Sequence, residues 1–279
     1  MFERTRRGLS IANSSLKTLR HHPKLLLLPV LSMASFAGVA YAIFGSMYLG
    51  KLANFGRPFF VFGWFGFFFV ATFVSIFFNA ALTSCVLDVL KERDVSVRSG
   101  IEASLLRIAP IMQWAFYSAT VGLFIAFFRS LLRRFGILGA LIGGAASMSW
   151  PIVTYFVVPV LIAEGVDPEE AVKRSTEIVR RHWGTAVGPG VGIGLILLLT
   201  LLPPIFVIGY VNSVSTLNMP HDRALTWSGI VTGVYLVAVF SFFSTLGTIF
   251  RTGVYFFAQT GRPPPGVDRS LYGRTPVER

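Results

Sequence analysis

Trp150–Trp183, WPIVTYFVVPVLIAEGVDPEEAVKRSTEIVRRHW, changes character once, at Glu164. Everything before that residue is uncharged and apolar. After it comes a charged helical pattern with its own start signal: Asp167 as N-cap, Pro168 at the first helical position and Glu170 completing a box-like pattern. Ala171, Val172, Ser175, Ile178 and Val179 recur at helical spacing, and Lys173, Arg174, Glu177, Arg180 and Arg181 fill the opposite face. The stretch therefore predicts a helix that leaves a bilayer and continues as a helix lying on its surface.

The rest of the chain repeats that plan. With 53% hydrophobic and 14% charged residues, it is far from the roughly 25% charged average of soluble domains. Runs such as FGWFGFFFVATFVSIFF, in a sequence holding 27 Phe, suit lipid and not water. The predicted fold class is all-α, a polytopic membrane bundle of about six transmembrane helices with three amphipathic surface helices. Residues 1–24 form an amphipathic amino-terminal surface helix with a basic face. Residues 25–260 form the membrane domain, with further surface helices near 96–108 and 168–181. Residues 261–279 are a Pro-rich basic tail.

The six spans are expected at Leu25–Leu49, Phe59–Leu87, Ile111–Phe128, Ile137–Ala163, Val191–Tyr210 and Trp227–Phe250. The first resembles a signal peptide in its basic start and its Ala40/Ala42 pair. Its apolar run continues past Ala42, so it is assigned as a retained span. Pro203 and Pro204 predict a kink in the fifth. Three repeated units, each a surface helix followed by two spans, start near Met1, Val95 and Asp167.

The net charge of +12 concentrates between the apolar runs. With both termini in the cytoplasm, 19 of the 25 Lys and Arg fall inside, which favours a cell-membrane protein with that orientation. Membrane lipids with anionic headgroups are the expected partners, and no nucleic-acid motif accompanies the charge. Arg129, Arg133 and Arg134 strain the scheme, and a re-entrant segment over Gly136–Met148 would relieve it.

Three stretches carry a family resemblance: HHPKLLLLPVLS at 21–32, FFNAALTSCVLDVL at 77–90, and the Trp150–Gly184 block. They resemble an uncharacterised family of six-span prokaryotic membrane proteins, a domain of unknown function. A wider likeness is to the membrane domain attached to some glycerophosphoryl diester phosphodiesterases, where Glu170, Ala171 and Ser175 would match. The resemblance implies topology and no chemistry, since the catalytic barrel of those enzymes has no counterpart here.

No nucleotide, nucleophile-elbow or zinc-protease motif is present, so no catalytic, cofactor-binding or metal residues are assigned and no enzyme is expected. His21, His22 and His182 are read as interfacial, and the single Cys85 as packing. The polar residues within or bordering the spans are the candidates: Asn79, Asp88, Glu164 and Arg251. Arg251 is expected to pair with Glu164 or Asp88 and so tie the sixth span to an earlier one. Small-residue pairs at Gly139/Gly143, Gly190/Gly194 and Gly229/Gly233 predict close helix packing, within one chain or in a homo-oligomer. The functional classes these features leave are a permease- or channel-like protein for a small solute or ion, a non-enzymatic scaffold and, less favoured, an intramembrane lipid-acting enzyme.

Overall fold

The computed structural model describes residues 15–45, 57–213 and 221–263. Residues 1–14 of the amino-terminal surface helix, with half of its basic face, the turn around Asn218 and the tail from residue 264 lie outside them. The described residues are mostly helical, and none of them is in a strand. A short helix over residues 15–21, α1, leads through a 3-10 turn at Pro23–Leu26 into α2 (Leu27–Ala40). Then come α3 (Arg57–Leu90), α4 (Val97–Leu106), α5 (Ile108–Leu132), α6 (Gly136–Val153), α7 (Val157–Glu164), α8 (Pro168–Thr200), α9 (Leu202–Ser213) and α10 (His221–Thr260).

Five helical stretches are long and apolar enough to cross a membrane: Pro23–Ile43, Gly63–Leu90, Ile108–Gly139, Leu141–Glu164 and Thr226–Thr260. A sixth apolar piece, Gly194–Val207, is shorter. The expected span at Val191–Tyr210 is thus shared between α8 and α9, which part at Leu201. The cause is local. Pro204 has no N–H to offer the Thr200 carbonyl four residues earlier, and Pro203 none for Leu199. Tyr235 of α10 donates to the Thr200 carbonyl instead, at 2.8 Å.

Two other expectations change. The surface helix expected at 168–181 does not stop there: α8 is continuous from Pro168 to Thr200. The segment 136–148, a re-entrant candidate, is the first two-thirds of the ordinary helix α6. Gly139 and Gly143 let α6 fold back on the end of α5. A Cβ at Gly143 would lie 3.2 Å from Arg129 Cγ, and one at Gly139 would overlap the Leu132 carbonyl. At Gly194, Gly229 and Gly233 a Cβ would meet nothing within 4 Å, so those glycines make no close contact among the described residues.

The buried side chains gather at one end of the bundle. One cluster joins Ala80 and Leu87 of α3, Ile111 and Trp114 of α5, Val157–Ile162 of α7, Ala171, Ile178 and Val179 of α8, and Phe250, Val254 and Phe257 of α10. A second joins Leu19, Leu25 and Leu28 to Ala81, Leu82, Cys85 and Val86 of α3 and Ile249 of α10. Helix α4 is part of this base. Ser96 caps it, accepting from the Arg98 N–H at 3.2 Å, and Gly100 brings it onto α3. The approach is close: an added Cβ at Gly100 would stand 2.4 Å from Cys85 Sγ and 2.7 Å from the Ala81 carbonyl oxygen. Val97 and Ile101 pack against the second cluster, whereas Leu105, Leu106 and Ile108 stay exposed.

Away from the base, large apolar residues face outward. Ile137 is 82% exposed and Phe206 72%, with Phe124, Phe127, Leu141 and Leu198 similarly open. In water such a surface would drive aggregation. In lipid it costs nothing, because acyl chains are as apolar as Leu.

Candidate functional site

Two features frame the site, a polar junction in the base and a groove above it. The junction begins where α6 ends. Pro159 cannot donate to the Tyr155 carbonyl, and its ring crowds that carbonyl, so the chain leaves the helix over Thr154–Phe156. Tyr155 N–H turns to the Ile152 carbonyl and Val157 N–H to that of Thr154, which leaves the Val153 carbonyl and the Phe156 N–H without helical partners. Ser175 of α8 supplies both. Its hydroxyl donates to the Val153 carbonyl at 2.6 Å and accepts from Phe156 N–H at 3.0 Å. Ser175 is fully buried, so this one hydroxyl mends the break inside the core.

Helix α7 ends on Gly165, whose φ of 68° is the left-handed cap that glycine adopts without strain. The Leu161 carbonyl accepts from Gly165 N–H at 3.1 Å and from Arg107 Nη1 at 2.9 Å. A Cβ on Gly165 would run into that guanidinium. Arg107 thus places a cation at the negative end of α7.

Glu164 is the centre of a three-helix tie. It receives an ion-paired hydrogen bond from Arg174 of α8, one from Tyr255 Oη at 2.8 Å and one from Gln259 Nε2 at 3.0 Å, both on α10. Arg174 also holds Glu170, Nε to Oε1 at 3.0 Å. Asp167 is the N-cap residue of α8, but its side chain makes no capping bond, and Glu170 serves Arg174 instead of closing a capping box. Farther out on the same helix Lys173 meets Glu169 at 3.0 Å, and on α4 Arg98 meets Glu102 at 2.8 Å. In each pair the hydrogen bond and charge of the carboxylate raise the partner's pKa. Exposed as they are, these pairs add little stability.

The expected pairing of Arg251 is not found. Glu164 is engaged as described, and Asp88 faces Arg93 at 3.8 Å. Arg251 lies instead over the ring of Tyr155, 4.7 Å from its centroid, with its Nε buried and lacking a hydrogen-bond partner. Position along the spans puts Arg251 and Glu164 at one depth but carries no information about azimuth.

Asn79 opens onto the groove, a space of about 600 Å³ between α2, α3 and α10. Thr72, Ser75 and Asn79 stand along one face of α3 at spacings of three and four, joined by Ser32 of α2 and Ser244 of α10. Phe36, Phe67, Phe68, Phe78 and Phe240 make most of the apolar wall. Thr83 hydroxyl donates to Asn79 Oδ1 at 3.5 Å. No lining residue is ionisable. The helices broken at proline do not contribute to it. Next to it lies the second core cluster, where Leu28, Cys85 and Val86 have no exposed surface. A second, almost wholly apolar crevice of about 610 Å³ runs beside α5, from Phe69 past Gln113 and Tyr117 to Asp167–Glu169.

Among the described residues no cluster of His, Cys, Asp and Glu could hold a metal ion; His21 Nδ1 bonds the Lys17 carbonyl, and the side chain of His182 lies outside the described residues. A family model, DUF6159, matches residues 59–264, which covers α3 to α10 and so both the junction and two walls of the groove. The chain belongs to DUF6159, a family of unknown function. No curated protein and no solved structure matches it. The wider likeness to the phosphodiesterase membrane domain therefore rests on Glu170, Ala171 and Ser175 alone. Within this DUF6159 chain those residues hold Arg174, fill the core and mend the α6–α7 break.

Two of the four sequence candidates, Asn79 and Glu164, thus sit in the groove and the junction. Ser175, Arg107, Tyr235, Tyr255 and Gln259 were missed. Ser175 stood on the apolar stripe of its helix as a lone hydroxyl, which was the available signal.

Proposed function

We propose that this membrane protein takes the uncharged, weakly polar part of an amphiphile, such as a lipid or lipid-like solute, into the groove between α2, α3 and α10. This is a permease-like role for a neutral chain and not conduction of an ion. The carrying observation is the groove: a volume within the ~300–1,000 Å³ range of small-molecule sites, with a polar row on a Phe-rich wall. An acyl chain finds aromatic and aliphatic surface there, and an ester or hydroxyl finds Thr72, Ser75 and Asn79. An ion would find no counter-charge there. By the charge bias, the base faces the cytoplasm.

Native mass spectrometry of the full chain with monoolein tests this. Ser75→Leu together with Asn79→Leu should fill the groove and lower monoolein retention at least fivefold. Undiminished retention would overturn the reading.

The packed core of the base favours one second reading, a non-enzymatic scaffold that uses the base for a partner. Proteoliposome ion-flux measurements bear on both. Leak no greater than that of empty vesicles is expected, and a steady conductance would remove both.

A further inference from the structure

The groove has a continuation. On α10, Phe240, Ser244, Gly247 and Arg251 occur at spacings of four, three and four, so they share one face of the helix. All four are at least partly exposed, while their neighbours Thr245, Thr248, Ile249 and Phe250 are buried. At Gly247 the way is open, since an added Cβ would meet nothing within 4 Å. Arg251 stands seven residues below Ser244, about 10 Å down the helix at helical rise. The stripe thus runs from the polar row of the groove to a guanidinium near the base.

That guanidinium lacks a counter-charge. Among the described residues no carboxylate is within ion-pair distance of it; Glu164 is held by Arg174, Tyr255 and Gln259, and Asp88 faces Arg93. Tyr155 takes one face of the group by stacking at 4.7 Å and leaves its Nε without a hydrogen-bond acceptor. At a membrane boundary a guanidinium is attracted to anionic headgroups, and the planar fork of Arg matches phosphate oxygens in pairs.

We propose that Arg251 binds the phosphate of an anionic phospholipid from the leaflet at the base. One acyl chain of that lipid rises along Ser244 and Gly247 into the groove. The proposal rests on the groove reading for the chain and on Arg251 and Tyr155 for the headgroup. It narrows the amphiphile to a phosphate-bearing lipid.

Three probes separate the parts: dioctanoyl phosphatidylglycerol, dioctanoylglycerol with the same chains and no phosphate, and inorganic phosphate. Binding is measured on the full chain in detergent. The wild type should prefer the phosphatidylglycerol over the dioctanoylglycerol by tenfold or more. Arg251→Gln should abolish that preference while dioctanoylglycerol binding persists. Arg251→Lys, which keeps the charge and guards against a folding artefact, should retain part of it. Gly247→Leu should weaken both lipids. A preference that survives Arg251→Gln overturns the proposal. So does competition by inorganic phosphate as strong as that of the lipid, which would make the site one for free phosphate. If dioctanoylglycerol fails to bind while phosphatidylglycerol binds through Arg251, the groove reading falls and the phosphate site stands.

Discussion

The chain breaks its helices with proline in two places, and the two breaks are mended to different standards. In the base, Ser175 satisfies a donor and an acceptor at once, in a core where Phe156 and Val157 are fully buried. At the open end, Tyr235 satisfies the single Thr200 carbonyl from a half-buried position, with Leu202 and Ile205 exposed nearby. Lipid gives neither end a solvent-driven reward for burial, so dispersion contacts and hydrogen-bond satisfaction must distinguish them. The base has both in quantity. The open end has little of either within one chain.

The largest expected effect comes from the first break. Ser175→Ala removes the hydroxyl with little change in volume and leaves the Val153 carbonyl and the Phe156 N–H unpaired in the core. At about 1–3 kcal/mol for each buried group left unsatisfied, a loss of roughly 2–6 kcal/mol is expected. Thermal unfolding in detergent measures it; a change below about 0.5 kcal/mol would mean that the break is satisfied in another way. Next in size is Gly100→Ala. Its Cβ would press on Cys85 Sγ and the Ala81 carbonyl, so α4 must shift off α3, with about 1–3 kcal/mol expected for overpacking. Should Gly100→Ala unfold no earlier than wild type, the tight α3–α4 contact would not be part of the stable base.

The sequence carried the architecture because hydropathy and charge bias are local quantities. Runs of apolar residues marked the spans, and Asp167 and Pro168 marked a helix start that the structure places at the same residues. Azimuth was not legible. Arg251 and Glu164 could be put at one depth, yet which way each pointed around its helix depended on the packing of α10 against α3, α7 and α8. Glu164 therefore met Arg174, Tyr255 and Gln259. Continuity was also hidden. The change from charged to apolar after Arg181 looked like the end of a surface helix, but nothing in the backbone stops α8 before Thr200. The groove was half legible. Asn79 stood out as a polar residue in a span, whereas Ser32 and Ser244 joined it only once α2 and α10 were set beside α3.

The second break sharpens the contrast. Tyr235→Phe removes one hydroxyl and leaves one carbonyl, at a site open enough for neighbouring groups to adjust. A loss of roughly 0.5–1.5 kcal/mol is expected, the net worth of an ordinary hydrogen bond. The ratio matters more than the value. A Tyr235→Phe loss equal to that of Ser175→Ala would place the two breaks in equally dry surroundings and erase the distinction between the ends.

The smallest effect expected has the opposite sign. Gly233 lies within α10 toward the open end, and an added methyl there meets no atom within 4 Å. Glycine in a helix interior is less favourable than alanine by about 0.5–1 kcal/mol, because the unfolded chain has more conformations to give up. With no contact to disturb, Gly233→Ala should raise the thermal midpoint slightly, while Gly100→Ala lowers it. The same methyl would then stabilise one end and destabilise the other. A loss at Gly233 would carry its own meaning, since Gly229 and Gly233 form the four-residue spacing through which membrane helices approach each other. Space that is empty in one chain would have to be filled by something, and a second copy would make the loss depend on protein concentration in detergent. Measuring the Gly233→Ala midpoint at two concentrations a hundredfold apart separates the cases. A small, concentration-independent gain keeps this face of α10 toward lipid, and a concentration-dependent loss closes it against another copy of the chain.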